Sequence, residues 1–143
     1  MVKEKRIKEI EFKLRDFYCP LYTNLTTESL IGNVFVDLKG SIVFEIEKFV
    51  MDAHVENQKI IKSNMVCANP PEQIRAKLAV YYDHITLQKL TYDLQQKSNA
   101  ESVFIAFIMA SKKVPYDKDL VELIQVEIDK LRQELDKLLG SVV

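Results

Sequence analysis

The sequence predicts an all-α protein, a helical bundle of about five helices. Three observations predict it: turn residues are scarce, apolar residues recur at spacings of three and four, and capping residues stand where those patterns begin. Only 3 glycines and 4 prolines occur in 143 residues, too few for the many tight turns of an all-β chain. Hydrophobic residues make up 48% and charged residues 29%, the balance of an ordinary folded domain. We therefore expect one helical domain over residues 1–143, large enough to bury a core without metals or disulfides.

The first helix is expected over residues 3–25, where Ile7, Ile10, Leu14, Phe17 and Leu21 alternate spacings of three and four. Pro20 falls inside the pattern. It lacks an N–H and crowds the carbonyl of Asp16, which predicts a kink without a stop. Phe12, Phe17, Tyr18, Leu21, Tyr22 and Leu25 widen the apolar face around it, so this end is expected to be buried deepest.

Residues 27–65 admit two readings. Val34 to Ile46 fits a hairpin turning at Gly40, whereas Phe35, Leu38, Ile42, Phe49 and Ala53 fit the spacing of one long helix. A lone hairpin has no further strands to pair with, which favours the helix. Next, Asn69-Pro70-Pro71-Glu72 predicts a helix start, with Asn69 as N-cap, prolines in the first positions and Glu72 returning a capping bond. Ile74, Leu78, Tyr81, Tyr82, Ile85, Leu87, Leu90 and Leu94 carry that helix to about Gln96. Ser98 and Glu101 open a short helix through Met109 that is apolar on all sides and expected to be central.

Asp117 is the expected N-cap of the last helix, residues 117–139. Along it Val121, Ile124, Ile128, Leu131, Leu135 and Leu138 form an a/d heptad seam. Its first part is broadened by Leu120, Leu123 and Val126, while Asp129 to Lys137 keeps the narrow seam alone. The start of the first helix is equally narrow, so the two chain ends are expected to pair as an antiparallel stalk. The six seam residues are the candidate interface. Such a seam packs either within the bundle or against another chain, and Glu127 and Arg132 hold the g and e positions that suit pairing between chains.

Composition excludes several functions. Acidic (21) and basic (20) side chains are mixed along the chain, so the net charge of −1 offers no field for nucleic acid. The basic residues near the N-terminus interleave with Glu4, Glu9, Glu11 and Asp16, the pattern of a solvated helix face. The longest apolar run, Val103 to Ala110, falls far short of the about 20 residues of a membrane span. It is read as central helix before membrane-surface element. No signal peptide is legible, and two well-separated cysteines suit a reducing compartment, so the protein is expected in the cytoplasm.

No catalytic, cofactor-binding or metal residue is assigned. There is no Glu-x-x-His pair, nucleophile elbow or glycine-rich phosphate loop. Cys19, Cys67, His54 and His84 are the residues from which a metal site would have to be built; the simpler expectation is two partly buried cysteines and two surface or rim histidines. His84, after Tyr81-Tyr82-Asp83, has the surroundings of a general base but is better explained as a histidine at the rim of an aromatic cluster.

Phe17-Tyr18-Cys19-Pro20-Leu21-Tyr22, Tyr81-Tyr82-Asp83-His84-Ile85-Thr86 and the charged last helix together resemble a group of small prokaryotic helical proteins of unassigned function, marked by an N-terminal Phe-Tyr-x-Pro-Leu-Tyr helix. The resemblance implies that residues 27–65 are helical, and it supplies no activity or site residue. The expected function is a non-enzymatic interaction or regulatory protein that associates with itself or with another helical protein. A metal-binding or enzymatic bundle centred on His84 and His54 is one alternative, and an accessory subunit of a larger complex is another.

Overall fold

The fold was obtained as a computed structural model that describes residues 2–34, 41–95 and 117–140. Among the described residues there are helices and no strand. They form four rods. The first is continuous: α1 (Val2–Lys13), a π-helical turn (Leu14–Tyr18) and α2 (Cys19–Val34). The others are α3 (Ser41–Ala68), α4 (Glu72–Gln95) and α5 (Lys118–Gly140).

Pro20 explains the π turn. An α-helix would need an N–H at position 20 to bond the carbonyl of Asp16, and proline has none. The chain widens instead. The Cys19 N–H reaches back five residues to the carbonyl of Leu14, and Asn64 on α3 donates its side-chain N–H to the Asp16 carbonyl at 2.9 Å. The kink expected at Pro20 is thus a one-turn bulge that begins six residues before it, and the helix runs on to Val34 rather than ending near Leu25.

α3 returns alongside that rod. Asn24 donates to Asn57 at 2.9 Å although the two lie 33 residues apart, a separation of about 50 Å along a straight helix. The single long helix expected over 27–65 is therefore two packed helices. The competing hairpin does not form where it is described either, because Val34 and residues 41–46 are helical. Phe35 to Gly40 lie outside the described residues, as does the short helix expected from Ser98 to Met109.

The boundary at Asn69-Pro70-Pro71 is where the sequence places it, with a different chemistry. Asn69 closes α3: it adopts a positive φ of 44° and its N–H bonds the carbonyl of Met65 at 2.9 Å, a left-handed helix ending that asparagine tolerates. Pro71 drives Pro70 out of the helical region, so α4 starts only at Glu72, where the Pro71 carbonyl accepts the first turn's bond from the Arg75 N–H. Glu72 stands at the first helical position, against the positive helix end, and is not the third residue of a capping box. Arg75 ties the turn together by donating to Asn69 Oδ1 at 2.6 Å.

All four rods feed one core. Ile10, Phe17, Tyr18, Leu21 and Leu25 meet Ile61 and Ala68 of α3, Ile74, Leu78, Tyr81 and Ile85 of α4, and Leu120, Val121, Ile124, Ile128 and Leu131 of α5. Burial of each aliphatic side chain contributes about 1.5–3 kcal/mol. Phe17 and Tyr18 meet edge to face at 5.0 Å, at the π turn, as the wide aromatic face there predicts.

Candidate functional site

The heptad seam turns inward over most of its length. Val121, Ile124, Ile128 and Leu131 are buried in the chain's own core, with Ile124 at 0% exposure, so these four have no surface left for another chain. Leu135 and Leu138 are only partly buried against the core, and Leu139 beside them is 46% exposed. Of the six candidate interface residues, only the last two remain accessible.

At that end α5 lies on α1. Arg6 grips the carboxylate of Glu134 through two bonds, Nε and Nη2 each at 2.8 Å, and also reaches Glu9 at 3.3 Å. The Arg6 bonds hold the Glu134 carboxyl below its ordinary value. Farther along, burial pushes the phenol of Tyr18 up, and the charge of Glu127 adds to the shift. Beside this contact runs an open groove of about 330 Å³ lined by Glu11, Leu14, Arg15, Cys19, Arg132 and Leu135. The Arg132 guanidinium comes to 4.0 Å from the Cys19 sulfur.

A second arrangement lies inside the bundle, where α3 turns polar residues to the core. The stripe Ile61 and Ala68 continues backward through Asn64, Asn57, His54 and Met51 at helical spacing. Phe49, one of the residues whose spacing predicts the helix, is 53% exposed. Asn57 and His54 are buried, and with neighbouring helices they form a chain of hydrogen bonds. The Asn24 amide donates to Asn57 Oδ1 at 2.9 Å, the Asn57 amide donates to the Tyr81 hydroxyl at 2.9 Å, and that hydroxyl meets His54 Nδ1 at 2.7 Å. Which of the hydroxyl and Nδ1 carries the shared hydrogen is set by the histidine tautomer. A histidine on a hydroxyl is a pair suited to proton transfer. Here both groups are buried and tied to three helices, which suits holding those helices together.

The four residues from which a metal site would be built are dispersed. Cys19 lies half-buried in the groove beside α5, while Cys67 is exposed near Lys5, Lys8 and Phe12. His54 is in the polar chain, so the expectation that it lies at the surface or rim is corrected, as is that of a partly buried Cys67. His84 is half-buried on α4, three residues past Tyr81. Among the described residues no three His, Cys, Asp or Glu side chains group so as to hold a metal ion, and no helix is long and apolar enough to cross a membrane.

Asp117 caps α5 as its sequence predicts. Its Oδ1 accepts the Leu120 N–H at 3.0 Å, and Lys77 on α4 reaches Oδ2 at 3.2 Å. Burial works against its ionisation, but the Leu120 bond and Lys77 together outweigh burial and lower its pKa.

Compared with known proteins, the chain matches no family model, no curated protein and no solved structure.

Proposed function

We propose that the chain is a non-enzymatic helical interaction protein that associates with itself through the end where α1 meets the last turns of α5. The observation that carries this reading is an apolar strip left unfinished within one chain: Leu14, Leu135 and Leu138 are half-buried and Leu139 is 46% exposed. In this reading the two chain ends run in opposite directions as a stalk. Arg6 on Glu134 and Cys19 beside Arg132 support that order, because lower numbers on the first rod pair with higher numbers on α5. Two free cysteines support a cytoplasmic setting.

Light scattering on a sizing column tests it. A dimer or larger is expected for the wild-type chain. Leu139→Glu should yield a folded monomer, whereas Ile128→Glu should unfold the chain, because Ile128 lies in the core. A wild-type chain that is monomeric at every concentration would end the reading.

The competing reading, a metal-binding or enzymatic bundle centred on His84 and His54, has the 2.7 Å contact between His54 and Tyr81 in its favour. Stoichiometric zinc or iron in the purified protein would decide for it. An accessory role in a larger complex would emerge as one stoichiometric companion in a pull-down from the native host.

A further inference from the structure

We infer that the groove between α1 and α5 is the docking face for a second copy of this chain, packed by a two-fold axis through its middle. The inference rests on the self-association proposed above and specifies where it takes place. Along the first rod the lining runs Glu11, then Leu14 and Arg15, then Cys19, and Arg132 of α5 closes the far end beside the Cys19 sulfur. Leu135 faces the groove from α5. The groove thus has Glu11 at one end and Arg132 at the other, with Leu14 and Leu135 between them and Arg15, held by Asp16, beside Leu14.

The charges at the two ends make no direct ion pair within the chain, although the charge of Glu11 is felt by Arg15 one turn on. Arg15 is engaged by Asp16 at 3.0 Å. Among the described residues Glu11 has no cation, and Arg132 no carboxylate, within ion-pair distance. A two-fold rotation about an axis over Leu14 and Leu135 reverses the groove, so Glu11 of each copy meets Arg132 of the other. Both ion pairs form at once and the leucines close on one another. This is the self-complementarity that an isologous interface requires, in which residue i meets j and j meets i. The strip continues from Leu135 to Leu138 and the exposed Leu139, which extends the apolar area toward that of a stable dimer.

Reversing the charges tests the inference. Glu11 and Arg132 are exposed, so Glu11→Arg and Arg132→Glu should keep the wild-type circular dichroism spectrum. Each is expected to raise the dimer dissociation constant roughly tenfold or more, since one substitution turns two attractive pairs into two repulsive ones. The double variant should return to within roughly threefold of wild type, because the pairs re-form with exchanged signs. In a Cys67→Ser background, maleimide labelling of Cys19 should slow as protein concentration rises through the dimer range. If the wild-type chain dimerises but neither reversal weakens it and Cys19 labels at one rate throughout, the groove is the wrong face while self-association stands. A chain that stays monomeric overturns both. A double variant no tighter than the single ones overturns the two-fold arrangement.

Discussion

Tyr81 carries two roles in one side chain. Its ring lies in the core with Leu78 and Ile85, and its hydroxyl links Asn57 to His54. Tyr81→Phe keeps the ring and removes one hydrogen bond each from Asn57 and His54, so a loss of about 1–3 kcal/mol is expected, read as a lower midpoint in urea unfolding. A midpoint unchanged from wild type would mean that the polar chain adds nothing to stability. Asp117→Ala removes a cap and should cost about 1 kcal/mol by the same measurement. The two cases differ in how visible they were. The Asp117 cap is local, with its acceptor three residues from its donor, and a window of sequence contains it. The polar chain joins residues 24, 54, 57 and 81, and no local rule pairs them. A signal did exist: His54 and Asn57 continue the buried stripe of Ile61 and Ala68. Phe49 and Ala53 lie on a neighbouring stripe of α3, which does not lead to those two residues.

Among the elements, the first rod shows most clearly what periodicity omits. The three-four spacing of Ile7 to Leu21 described an unbroken helix correctly and located the perturbing proline, but it carries no term for a widened turn. The carbonyl that Pro20 leaves without its N–H finds Asn64 on another helix, and that long-range partner could not be read from a local pattern. A double-mutant cycle tests the account. Asn64→Leu should cost about 1–2 kcal/mol in the wild-type chain, since it strands a partly buried carbonyl. In a Pro20→Ala background the cost should shrink, because an alanine N–H at position 20 can take the Asp16 carbonyl. Additive effects would show that Asn64 and Pro20 act independently. The boundary between α3 and α4 teaches a related lesson. Two prolines announced it, yet which helix Asn69 serves depends on its backbone angle, and Asn is suited both to an N-cap and to a left-handed ending.

For the molecule as a whole, α5 is fastened to other helices by two carboxylates, Glu134 to Arg6 of α1 and Asp117 to Lys77 of α4. Both have folded-state pKa values lowered from their ordinary 4.5 and 3.8. The unfolded chain therefore binds protons at a higher pH than the folded one. Stability supplied by these groups is present above their ordinary values and is lost as pH falls through the lowered ones. Urea midpoints should fall as pH drops below about 4, and more gently in the Glu134→Gln, Asp117→Asn double variant. An equal fall in both would assign acid sensitivity to other groups. At this scale the helical class was legible because few turn residues and many three-four spacings leave little else to build. The direction of the α5 seam was not, since the same heptad satisfies an internal core and an external partner, and only the burial of Ile124 and Ile128 distinguishes them.

The hydrogen-bond chain from Asn24 through Asn57 and Tyr81 to His54 has one more consequence, for helix alignment. Apolar stripes on neighbouring helices are nearly periodic, so sliding one helix past another by a turn, about 5.4 Å, returns leucine to leucine at small cost. Amides and hydroxyls allow no such repeat. A one-turn slip of α3 against α2 would break the bond from Asn24 to Asn57, and a slip against α4 would break both bonds to Tyr81. The polar chain acts as a vernier that admits a single axial setting of three helices.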